Sequence, residues 1–63
     1  MKWVEISAGE WVNINLLAEV ILPAGSRIIL FIMADGEVLA RRGCETRTEA
    51  ETRLREIMAE VQS

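Results

Sequence analysis

Between Arg27 and Asp35 the chain reads Ile28-Ile29-Leu30-Phe31-Ile32-Met33-Ala34 with no polar side chain, and Asp35-Gly36 follows at once. A run this short cannot cross a bilayer as a helix, which takes about 20 apolar residues. Its β-branched and aromatic content reads as a strand over residues 27–34. Asp-Gly is the turn pair of a tight hairpin, because a type I′ turn needs φ > 0 at both central residues. Residues 37–41 are therefore expected to return antiparallel. A two-residue turn at Asp35-Gly36 sets the pairs Ala34–Glu37, Met33–Val38, Ile32–Leu39, Phe31–Ala40 and Leu30–Arg41.

That hairpin has two apolar faces. One carries Ile29, Phe31, Met33, Val38 and Ala40; the other carries Ile28, Leu30, Ile32 and Leu39, with Glu37 and Arg41 at its ends. An antiparallel strand with one wet face alternates apolar and polar residues, and this one does not. Small Ala40 makes the first face the better seat for a helix. The second face then needs other cover: a second copy of the chain, the segment Leu16–Leu22 folded over it, or a small apolar ligand. Self-association is the favoured reading, with Ile28, Leu30, Ile32 and Leu39 as the oligomer interface. Size argues the same way. In a chain of 63 residues the gain from burial and the cost of ordering nearly cancel. Cys44 is the single cysteine and histidine is absent, so neither a disulfide nor a Cys/His zinc site supplies the difference. No metal or cofactor is expected, and a partner subunit is the remaining device.

The rest of the chain reads as one α+β domain spanning residues 1–63. Short strands are expected at 2–6, 10–13 and 18–22, with Ser7-Ala8-Gly9 closing the first. Residues 13–17 either continue a strand or turn at Asn13–Asn15, where asparagine bonds its own backbone; the turn is preferred. Pro23-Ala24-Gly25-Ser26 is a loop. Ala50, Leu54, Ile57, Met58 and Val61 recur at the spacing of one helical face, so a helix is expected from about 47 to 61. Leu54 and Ile57 should be buried, and Arg53 and Arg55 exposed. Thr46 with Glu49 forms a capping box, preferred over Thr48 with Glu51. Glu49–Arg53 and Glu51–Arg55 are i,i+4 pairs in the favourable order. The whole is an antiparallel sheet of four to five strands with one C-terminal helix on one face.

Enzyme chemistry finds little to stand on. Without histidine, acid–base work falls to a carboxylate with a raised pKa. Most glutamates lie on the helix as a solvated face, and Glu19, within an apolar run, reads as pointing out from an edge strand. Cys44 precedes the helix start, where a thiol is activated, but it has no histidine partner. Asp35-Gly36 lacks the further oxygen ligands of a calcium loop, and Gly9, Gly25, Gly36 and Gly43 are too scattered for a phosphate loop. Single-stranded nucleic acid is the alternative. Arg27, Arg41 and Arg42, with Arg47 nearby, would supply phosphate contacts, and Trp3 and Trp11 would stack on bases. Against it stands a net charge of −3, where such domains are usually basic; an oligomer would have to concentrate the arginines. The start carries no signal-peptide pattern and the chain no apolar span, so the expected compartment is the cytoplasm, away from membranes.

Trp11-Val12-Asn13-Ile14, then Val20-Ile21, then a hairpin strand, then Thr46, Glu49-Ala50, Leu54 and Ile57 resemble a type of small uncharacterised bacterial and phage protein over nearly the whole chain. The resemblance implies a sheet-plus-helix module and carries no site residues with it. Taken together, the sequence leads to a non-enzymatic, homo-oligomeric interaction module that presents a surface to another macromolecule.

Overall fold

The structure, a computed structural model, describes residues 2–62. In chain order they form β1 (Trp3–Ser7), β2 (Glu10–Asn13), a 3-10 turn (Ile14–Leu16), β3 (Leu17–Ile21), β4 (Ile28–Met33), β5 (Val38–Gly43) and α1 (Arg47–Gln62). The expected α+β arrangement of five antiparallel strands and one C-terminal helix is present. The strands divide between two ladders, β1-β2 and β3-β4-β5.

Asn13 makes that division. Its Oδ1 accepts from the backbone N–H of Asn15 at 3.0 Å, and the N–H of Leu17 then donates to the Ile14 carbonyl. A side chain that bonds its own backbone two residues on competes with the ladder and ends it. The preferred turn at Asn13–Asn15 is thus where β2 stops. β3 leaves the turn as the hydrogen-bonded neighbour of β4, with Val20 opposite Phe31 and Ile21 opposite Leu30.

The central hairpin differs from the expected register near its tip. The loop has three residues, Ala34–Gly36, not two. The Gly36 N–H donates to the Met33 carbonyl at 2.9 Å, and the Met33 N–H donates to the Glu37 carbonyl at 2.8 Å. Of the three loop residues only Gly36 has positive φ, at +89°, the geometry of a type I turn closed by a glycine bulge. Asp35 Oδ1 accepts from the Glu37 N–H at 2.9 Å and fixes the turn. Ile32 consequently faces Val38, while Phe31 faces Ala40 and Leu30 faces Arg41 as expected. A bulge at Leu39 absorbs the one-residue difference. Beyond it β5 runs on to Gly43, paired with Ile28, two residues past the expected end at 41.

A Cβ at Gly36 would meet nothing within 4 Å, so Gly36→Ala carries only the conformational cost of the left-handed region. The expected loss is about 1–2 kcal/mol, read as a lower urea midpoint with an unchanged slope.

One core joins the two ladders to the helix. Val4, Ile6 and Val12 come from β1 and β2, Ile29 and Phe31 from β4, Ala50 and Ile57 from α1, and Cys44 from the connection before it. Leu54, Val20, Leu17 and Ala40 pack around them. Ala50 is fully covered, and a side chain that small lets the first turn of the helix come close. Thr46 Oγ1 accepts from the Glu49 N–H at 3.1 Å, so the preferred cap is the one formed.

The helix departs from expectation in its charges. Instead of Glu49–Arg53 and Glu51–Arg55, the ion pairs among the described residues are Arg47–Glu51 at 3.3 Å and Arg53–Glu56 at 3.1 Å. Arg47 and Arg53 also bond backbone carbonyls outside the helix. Arg47 Nη1 donates to the carbonyls of Pro23 and Ser26 and holds the 23–26 loop. Arg53 Nη2 donates to the Glu5 carbonyl on β1 at 3.2 Å. Arg53, expected exposed, is accordingly half-buried, while Arg55 is exposed.

Candidate interaction surfaces

Cross-strand partners share a sheet face, so the register assigns the paired side chains of β3-β4-β5 to one side or the other. Ile29, Phe31, Val20 and Ala40 face the core. Glu19, Ile21, Ile28, Leu30, Ile32, Val38 and Arg41 face the other way. Val38 was expected on the helix side with Met33; the bulge moves it opposite Ile32. Val38 and Leu39 are 41% and 38% exposed, and Ile28 is 41% exposed. Leu30 and Ile32 are partly exposed. Of the expected oligomer-interface residues, Ile28, Leu30 and Ile32 thus lie on this outer face, which Ile21 and Val38 enlarge, while Leu39 is exposed at the bulge without a cross-strand partner.

The segment Leu16–Leu22 does not fold over that face, as one alternative required. Its β3 part lies in plane beside β4 and contributes Ile21 to the face. Glu19 on β3 and Arg41 on β5 flank the aliphatic centre from opposite edges, both exposed.

The second surface is a groove of about 390 Å³ between the β1-β2 ladder and α1. Trp3, Glu5 and Trp11 line its hairpin wall, and Arg53, Glu56 and Glu60 its helical wall. Glu5 sits directly across from Trp11, and Trp3 is two residues away on the same strand, so the three share the face opposite to buried Val4, Ile6 and Val12. Both tryptophans are more than half exposed, Trp3 at 53% and Trp11 at 56%. The sequence marked both as candidate platforms; that α1 would complete a concave site was not legible, because nothing in the pattern places Glu56 and Glu60 beside β1.

The arginines proposed to work with these tryptophans lie elsewhere. Arg41, on the outer face, and Arg42, paired with buried Ile29, point to opposite sides of β5. Arg27 spends its Nη1 on the Cys44 carbonyl at 2.7 Å. None of the three lines the groove. Cys44 is buried, at 3% exposure, and Glu19 is exposed on an edge strand. No helix among the described residues is long and apolar enough to cross a membrane. Comparison with known protein families, with curated proteins and with solved structures gives no match for this chain.

Proposed function

We propose that the chain is a non-enzymatic interaction module that assembles with copies of itself through the outer face of β3-β4-β5. The observation that carries this reading is the row of Ile21, Ile28, Leu30, Ile32 and Val38 on the side away from the core, with Leu39 exposed at the adjoining bulge. A contiguous aliphatic patch over three strands is the size that marks an association surface on a small protein. Its flanking charges suit a two-fold contact. With the axis along β4, β3 of one copy lies over β5 of the other, which sets Glu19 toward Arg41 at both edges. An apolar centre with a charged rim is the usual anatomy of an interface.

Assembly of this kind links stability to concentration. For a two-chain unit of this size, the melting temperature should rise by about 6 °C per tenfold increase in protein concentration. Scanning calorimetry over two decades of concentration checks this. A melting temperature independent of concentration would count against the proposal.

A further inference from the structure

We infer that the tryptophan groove between the β1-β2 ladder and α1 is a docking site for a basic segment of a partner protein, with an arginine or lysine side chain seated between Trp3 and Trp11. A cation over the face of an indole is attracted by the ring's negative face, and tryptophan is the strongest aromatic partner for it. Here two indoles share one face of a hairpin and are more than half exposed. The groove is open and has a volume of about 390 Å³.

Charge selects the occupant. The lining carries three carboxylates, Glu5, Glu56 and Glu60, against one guanidinium, Arg53. Arg53 and Glu56 pair with each other at 3.1 Å and Arg53 also donates to the Glu5 carbonyl, so the lining keeps a net negative charge from Glu5 and Glu60. The Lys2 ammonium donates to the Glu60 carbonyl. Glu5 Oε2 accepts from the Gly9 N–H at 3.2 Å, which holds its carboxylate beside Trp11. A phosphate backbone entering this groove would meet the carboxylates, and the chain's net charge of −3 repels it further. A cationic side chain meets both attractions at once. The groove is built from β1, β2 and α1, which contribute nothing to the outer face of β3-β4-β5, so it stands or falls separately from self-association.

Trp3 and Trp11 are the only tryptophans in the chain, and tyrosine is absent. Intrinsic fluorescence therefore reports the groove directly. Titration of the full chain with a hexa-arginine peptide at low salt should give a saturable change. Trp11→Ala, with Trp3 left as reporter, should weaken binding by about five- to thirtyfold. Glu56→Gln should weaken it several-fold, while Glu37→Gln, the same charge change at the distant β4-β5 turn, should leave it within a factor of two. Circular dichroism shows whether each variant keeps its helix, and Trp3→Ala replaces Trp11→Ala if the latter unfolds. Three results would overturn the inference: no saturable change up to about 1 mM peptide, where any affinity is too weak to be specific; equal weakening by Glu37→Gln; or tighter binding of a thymidine oligonucleotide than of the peptide.

Discussion

Phe31→Ala should unfold this protein or come close to it. Phe31 is fully covered and is the largest of the fully buried side chains. Truncating a buried phenylalanine costs about 3–5 kcal/mol through lost transfer energy and the cavity left behind. A chain of 63 residues has only about 3–9 kcal/mol of stability in total at typical per-residue values. Phe31 lies opposite both Val20 on β3 and Ala40 on β5, so the cavity would open beneath all three strands of the larger ladder. Urea unfolding followed by circular dichroism checks it; a loss below about 1 kcal/mol would mean that the core does not centre on β4.

Much of this architecture was legible because its signals are local. Thr46 and Glu49 announce a helix start through their own hydrogen-bonding chemistry, and the spacing of Ala50, Leu54 and Ile57 shows which side the helix buries. Asn13 and Asn15 mark the break between β2 and β3. Two features were not legible, for different physical reasons. The β4-β5 turn takes either a two-residue or a three-residue form around Asp-Gly. The three-residue form needs only one positive φ, at Gly36, and leaves Asp35 free to bond Glu37. Because strand side chains alternate with period two, that one-residue choice moved Val38 from the helix side to the outer face. The tryptophan groove depends on how α1 lies across β1. Arg53 fixes that placement by bonding a carbonyl 48 positions away in the chain, and no spacing rule carries such a contact. The expected Glu49–Arg53 pair gives way for the same reason, since Arg53 turns to the Glu5 carbonyl, and Glu51 pairs with Arg47 instead of Arg55.

Leu30→Glu should turn the proposed assembly into a folded monomer. Leu30 sits at the middle of the outer face, with Arg41 directly across on β5 and Ile21 across on β3. In a single chain the new carboxylate would be at the surface next to the Arg41 guanidinium, a favourable cross-strand pair worth a few tenths of a kcal/mol or more. In an assembly that seals this face it would lie among aliphatic side chains of two copies, where burying an incompletely paired charge costs several kcal/mol. Core residues Ile29 and Phe31 project to the opposite side and are untouched. The variant should therefore keep its helical circular dichroism while losing the concentration dependence of its melting temperature.

Sedimentation equilibrium on the unmodified chain tests self-association most directly. At concentrations of about 10–100 μM, where a micromolar dimer is well populated, the fitted mass should be twice the chain mass of 7.1 kDa or a higher multiple. Leu30→Glu under the same conditions should return the mass of one chain. A single species of 7.1 kDa for the unmodified protein across that whole range would contradict the account, because the aliphatic outer face of β3-β4-β5 would then be stable in water without a second copy to cover it.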